Sequence, residues 1–222
     1  MNKILFIAVH PDDETLGCGG SILKHRDKSD EIYWLILTKA NSKINSIDNF
    51  ETIQKDYISS ASMKYGFNRT IQFDFLETEL DKYMKVEIIN NIKKVVEEIE
   101  PNMIFLPNRC DAQSDHRIAF DAIYSCTKNF RFPYIKKILM YEVLSETEFA
   151  PALPEKAFIP NVFIDITPYI EKKLEIMRLF STEQMEEPYP RAMSSIKALN
   201  RFRGCRIGVE YAEAFMLLHE EG

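Results

Sequence analysis

The chain has 222 residues, 45% of them hydrophobic, and a formal net charge of −6. That size and apolar fraction suit one well-cored domain over residues 1–222, and the acidic balance excludes a nucleic-acid binder held by bulk electrostatics. No stretch is long and apolar enough to span a bilayer, no cleavable leader is expected, and the four scattered cysteines without a CxxC spacing read as reduced thiols, so a cytoplasmic location is the expectation.

Predicted elements alternate along the chain. Ile4–Val9 is a continuous apolar run, as in a strand buried on both faces. Leu16–His25 reads as a helix with Lys24, His25 and Arg26 at its end, where cations suit the dipole. Ile32–Thr38 is a second buried strand, Asp48–Tyr65 a helix stopped by Gly66, and Thr70–Phe75 a short strand. An amphipathic helix is predicted over Asp81–Glu100, ended by Pro101, followed by a strand over Met103–Leu106. His116–Lys128 reads as a helix on the stripe Ile118, Ala119, Ala122 and Ile123, and Lys137–Val143 and Val162–Ile166 as further strands. The last third predicts a helix over Pro168–Phe180 with Lys172, Lys173 and Glu175 outward. A turn-rich Glu186–Arg191 loop follows, either a substrate lid or a rigid connector. Then come a helix over Ala192–Phe202 and a bend flanked by Gly204 and Gly208 before Tyr211–Leu218.

This alternation predicts a layered α/β fold with a mostly parallel sheet. Such sheets place their sites at the carboxyl ends of strands. Two chemically loaded segments follow strands there, "AVHPDDETLGCGG" at Ala8–Gly20 and Asn108–His116. His10 and Asp13 lie three apart across a stiffening proline and can converge, and imidazole with carboxylate suits zinc or another divalent metal. Of the four histidines, His116 is the natural third ligand. Asp12 is left beside the metal, where a carboxylate serves as general base toward water. The competing reading is structural: acids at a helix start cap amides and complement the dipole. Spacing alone does not separate the two.

Other residues carry paired readings. Arg201, Arg203 and Arg206 either clamp a substrate phosphate or carboxylate or form a solvated loop. Asn108, Arg109 and Asp111 sit where substrate contact is expected. Glu213 reads as a structural pairing residue, Cys18 as packing, His25 and His219 as surface, and Trp34 as core.

The opening segment resembles the AHPDDE signature of the LmbE-like family, the PIG-L-type zinc-dependent deacetylases. "QSDHR" at Gln113–Arg117 resembles that family's second motif, usually HPDH or a variant, and "GVEYAEAF" at Gly208–Phe215 its C-terminal signature. The resemblance implies a Rossmann-like fold and an N-deacetylase or related amide hydrolase, often acting on N-acetylglucosamine-like amino sugars. It implies zinc on His10, Asp13 and His116, Asp12 as the base that activates the metal-bound water, and Glu14 as support. The family's second motif opens with a histidine that stabilises the oxyanion or protonates the leaving amine, and here Gln113 stands in its place. Glutamine can donate a hydrogen bond but cannot deliver a proton. Asp115, which in the family orients that histidine, loses that task. "LTKANS" at Leu37–Ser42 lacks the family's glycine-rich turn, which points to a different specificity. Expected partners are a small amino-sugar substrate, free, nucleotide-linked or lipid-linked, and no nucleic acid; a homo-oligomer is compatible. The alternatives are a metal-containing sugar-binding paralogue and a hydrolase of another amide.

Overall fold

A continuous apolar strand must be covered on both faces, and the structure supplies both layers. The computed structural model describes residues 1–45 and 47–222. Its strands are β1 (Lys3–Ala8), β2 (Glu31–Lys39), β3 (Arg69–Leu76), β4 (Met103–Pro107), β5 (Lys137–Tyr141), β6 (Val162–Asp165) and β7 (Ala212–Glu220). Its helices are α1 (Asp13–Asp27), α2 (Phe50–Tyr65), α3 (Lys85–Ile99), α4 (Ser114–Ser125), α5 (Ile170–Met177) and α6 (Met193–Cys205). The strands form one sheet in the order β3-β2-β1-β4-β5-β7-β6. The first five are parallel, and β7 runs antiparallel between β5 and β6. The fold is therefore the mostly parallel, Rossmann-like α/β arrangement that the alternation predicts.

β1 shows why its sequence is apolar throughout. Ile4, Phe6 and Ala8 pack into one core with Ile22 of α1, Tyr65 of α2 and Leu174 of α5. Leu5, Ile7 and Val9 pack into the other with Ile92 of α3 and Ala119 of α4. The order reverses between β1 and β4: β2 and β3 lie to one side of β1, β4 and β5 to the other. A crevice opens at such a switch point, beyond the carboxyl ends of the two strands.

Several elements differ from the sequence reading. α1 starts at Asp13, so Asp13 and Glu14 occupy its first turn, and it kinks at Cys18 (φ −143°). The kink has an identifiable cause, a side-chain pair inserted into the helix ladder. Lys173 was expected outward but is 1% exposed. Its Nζ donates to Leu16 O (2.9 Å) and Glu213 Oε1 (2.8 Å). Glu213 in turn accepts the amides of Gly20 and Ser21, each at 2.8 Å. Leu16 O and Gly20 N, which an unbroken helix would pair, are thus taken up by the Lys173–Glu213 pair. Gly17 allows α1 to approach β5, since a Cβ there would lie 2.1 Å from Tyr141 Cδ2. His25, expected on the surface, is buried, with Nδ1 2.8 Å from Asp30 Oδ2 and its ring edge-on to Phe105.

The helix predicted over Asp81–Glu100 is shortened. A single tight turn at Leu80–Lys82 precedes it, Tyr83 and Met84 are extended, and α3 begins at Lys85. The cause is distant: Asp115 of α4 accepts the amides of Thr78 (2.6 Å) and Leu80 (3.2 Å), pinning this loop across the crevice. α5 likewise begins only at Ile170, after a tight turn at Thr167–Tyr169.

Removing one member of a buried ion pair strands the other charge. Lys173→Met is expected to lower the unfolding free energy by about 3–5 kcal/mol, read by urea denaturation. Lys173→Met combined with Glu213→Gln should recover part of that loss, because it removes the stranded charge while the amide oxygen still accepts one of the two backbone N–H groups. An equal loss in the double variant would contradict the assignment.

Candidate metal centre and pocket

His10 and Asp12 leave the end of β1, and Asp13 opens α1. Asp12 has a positive φ of 129°, a strained backbone for a residue with a side chain. Asp13 Oδ2 accepts the amides of Val9 (2.9 Å) and His10 (2.8 Å). The same oxygen lies 3.5 Å from His116 Nε2. The two competing readings of this acidic turn therefore coexist: Asp13 braces the start of the helix and faces the histidines.

Each imidazole is oriented by a carboxylate behind it. His116, in the first turn of α4, donates from Nδ1 to Asp111 Oδ2 at 2.8 Å. Asp111 is held by Asn108 Nδ2 (2.8 Å) and Thr147 Oγ1 (2.6 Å). His10 Nε2 lies 3.3 Å from Asp115 Oδ2. The free nitrogens, His10 Nδ1 and His116 Nε2, face each other at 3.3 Å. Ligand atoms of His10, Asp13 and His116 all lie within 4.8 Å of one another. Two imidazoles and a carboxylate, each imidazole backed by a carboxylate, fit a divalent metal that keeps an open position.

Electrostatics follow from burial. Burial pulls the His116 pKa down, but Asp13 and the hydrogen bond to Asp111 outweigh it and hold it up at about 9. Asp12 is pushed well above the usual carboxylate range by burial and by Glu183, while Arg191 pulls it back. Burial raises Glu14 to about 8. Glu14 does not line the pocket; its carboxylate accepts Asp12 N (3.3 Å) and Thr15 Oγ1 (2.6 Å), bracing the turn.

The pocket over this centre is lined by Asp12, Asp13, Gln113, Glu146, Glu183 and Arg191, among others. Gln113 immediately precedes α4, and its backbone N–H donates to Glu146 Oε2 at 3.0 Å. Arg191 Nη1 lies 3.4 Å from Asp12 Oδ2 and 3.1 Å from Glu183 Oε2. Sequence reasoning weighed the Glu186–Arg191 loop as a lid or connector without singling out Arg191, and it missed Glu77, Glu146 and Glu183. The available signal was position: Glu77 follows β3 and Glu146 follows β5, both at carboxyl ends of parallel strands.

The arginine cluster lies outside this pocket. Arg203 grips both oxygens of Glu142 at 2.8 and 2.6 Å and borders a neighbouring cleft with Phe158 and Leu199. Arg201 and Arg206 are exposed. Asn108 is buried behind Asp111, and Arg109 reaches Glu155 O at 3.0 Å, so neither lines the pocket. Asp115 acquires a different task from the one the resemblance implied, backing His10 and pinning the Thr78–Leu80 loop.

A family model described as PIG-L, GlcNAc-PI de-N-acetylase, matches residues 5–127, more than half of the chain. The chain belongs to the PIG-L family. The matched PIG-L span holds His10 to Asp13 as well as Gln113 to His116; the third motif lies beyond it. The chain is similar to the diacetylchitobiose deacetylase of Thermococcus kodakarensis, with 23% identity over 222 residues covering 96% of this chain and 82% of that protein. Among solved structures, the N,N'-diacetylchitobiose deacetylase of Pyrococcus horikoshii superposes with a TM-score of 0.77 and 22% identity, over 98% of this chain and 84% of the other. GalB, the 4-carboxy-2-hydroxymuconate hydratase of Pseudomonas putida KT2440, superposes with a TM-score of 0.75 and 14% identity, over 100% and 98% of the two chains. Those likenesses show the fold. A fold shared with a hydratase does not name the reaction, which has to be argued from the residues.

Metal content gives the direct test. His116→Ala is expected to abolish stoichiometric retention of a divalent metal, measured by elemental analysis after dialysis. Asp111→Asn should weaken affinity by roughly 10- to 100-fold, read by competition with a chromophoric chelator. Unchanged retention in His116→Ala would place the metal elsewhere.

Proposed function

We propose that this chain is a metal-dependent N-deacetylase that hydrolyses the acetamide of a small N-acetylated amino sugar or its conjugate. One observation carries the reading: in a PIG-L family chain, His10, Asp13 and His116 converge with Asp12 beside them in one pocket. In this reading residues 1–222 act as a single cytoplasmic domain, and zinc is the metal that the three residues would hold. When bound, that ion would supply Lewis acidity, polarising the carbonyl and lowering the pKa of water.

The chain's own groups handle the protons. Asp12 is 3% exposed and lines the pocket; in this reading it takes a proton from the attacking water. Its carboxylate is held in position by Arg191 at 3.4 Å. Amide hydrolysis then needs a proton delivered to the leaving nitrogen. Gln113 cannot give one and Arg191 does not titrate; in this reading Asp12 returns the proton it took, and the pocket carboxyls Glu77, Glu146 and Glu183 are the alternative donors. Gln113 Nε2 and the Arg191 guanidinium donate hydrogen bonds toward the oxygen on which charge develops. Asp111 and Asp115 keep both imidazoles turned to the centre.

Acetate release from a panel of N-acetyl sugars tests the reading. Asp12→Asn is expected to lower kcat by roughly 10²–10⁴-fold, the usual worth of a positioned acid–base group. Metal retained without turnover of any acetamide would instead favour a sugar-binding paralogue. Gln113→His is expected to leave kcat within about tenfold, because Asp12 already performs both transfers. A gain of the full acid–base magnitude would show that a missing acid limits the rate.

A further inference from the structure

We propose that the pocket selects uncharged or cationic N-acetyl amino sugars and rejects phosphorylated or otherwise anionic ones, with Glu77 and Glu146 as the specificity-determining residues. The inference rests on the deacetylase reading above and names the substrate class of the same site. It would remove nucleotide-linked sugars from the candidates.

Charge is the first ground. Glu77, Glu146 and Glu183 enter the pocket from three separate loops, after β3, after β5 and after α5, and join Asp12 and Asp13 in its lining. Among the described residues, Arg191 is the lining's one lysine or arginine, and its Nη1 already serves Asp12 and Glu183. A divalent ion on His10, Asp13 and His116 would still leave the formal charge of this lining negative. A second anion brought into such a partly buried site meets repulsion that solvent screens weakly.

Hydrogen-bond inventory is the second ground and is independent of net charge. Glu146 accepts the Gln113 amide at 3.0 Å, and Glu77 accepts the Asn41 amide at 3.2 Å. Among the described residues each of these two carboxylates accepts that single amide, so lone pairs on both stay open toward the pocket. Gln113 Oε1 is buried there with no hydrogen-bond partner. Burial also raises both carboxyls from their ordinary value. Glu77, Glu146 and Gln113 Oε1 therefore add open acceptors to the pocket, beside the donors Gln113 Nε2 and Arg191 that serve the reacting oxygen in the proposed reaction. Sugar hydroxyls and an ammonium supply donors; a phosphate brings further acceptors and further negative charge. Rejection of the wrong ligand by unpaired and repulsive groups is a source of specificity in its own right.

Three substrates that differ chiefly in charge test the inference on metal-loaded protein. They are N-acetylglucosamine, its 6-phosphate, and chitobiose carrying one acetyl group and one free amine. kcat/KM is expected to be lowest for the phosphate, by roughly tenfold or more relative to the neutral sugar, with the amine-bearing sugar at least equal to the neutral one. The double variant Glu77→Gln, Glu146→Gln should narrow this gap, mainly through KM. A phosphate turned over as well as the neutral sugar, or a gap unmoved by the double variant, would overturn the inference while leaving the deacetylase reading intact. If none of the three releases acetate, that reading fails by itself. The charge rule is then decided by titrating glucosamine against glucosamine 6-phosphate into both proteins. Tighter binding of glucosamine, reduced in the double variant, upholds it; equal or tighter binding of the phosphate sinks it.

Discussion

A sheet whose central strands are apolar on both faces ends here in ionisable groups with almost no solvent: Asp111, Asp115 and His116 are fully buried, and Asp13 is 3% exposed. Such groups are tolerated inside a protein only when every charge meets a partner. Asp111 answers His116, Asp115 answers His10 and two backbone amides, and Asp13 answers the amides of the β1 turn. Because the far nitrogens are occupied, His10 Nδ1 and His116 Nε2 have one direction left to face. The convergence of the two imidazoles is thus a consequence of how the buried carboxylates are satisfied.

The same requirement ties the C-terminal third to the centre. α1 carries Asp13 in its first turn and bends at Cys18 one turn later. The bend opens backbone groups that the Lys173–Glu213 pair closes, Lys173 from α5 and Glu213 from β7. β7 is the strand that joins β6 to β5. The segment around Glu213 therefore acts on the centre through the position of α1, without lining the pocket. Arg191 is a more direct link, since the chain between α5 and α6 brings its guanidinium to Asp12.

What the sequence made legible is what local pattern encodes. β1, β2 and β4 read clearly because burial on both faces leaves a continuous apolar run. His10, Asp12 and Asp13 read clearly because they lie within four residues, and His116 because few histidines compete for its place. Lys173 misled because the helical pattern around it looks amphipathic, and its partner lies forty positions away in Glu213. The start of α3 misled for a similar reason, since Asp115 fixes it from another helix. Glu77, Glu146 and Glu183 were hidden because a loop carboxylate that lines a pocket has the same sequence signature as one in solvent. Only the convergence of three loops distinguishes them.

The likeness of this fold to both deacetylases and a hydratase shifts the weight of any functional argument onto proton inventory. Near the open side of the centre, Asp12 is the one group of the proposed machinery that can both accept and give a proton. Gln113 and Arg191 are confined to donating hydrogen bonds. A hydrolysis in which the proton lost by water is the proton gained by the leaving amine needs a single shuttling carboxylate. In the proposed reaction that carboxylate is Asp12, on a strained backbone, where burial and Glu183 push it toward protonation more strongly than Arg191 pulls it back. A carboxyl held above its ordinary value takes up a proton more readily, which suits the first step of the proposed shuttle. Under the proposed mechanism, glutamine at position 113 leaves both halves of the transfer to the pocket's carboxyls, with Asp12 the first of them.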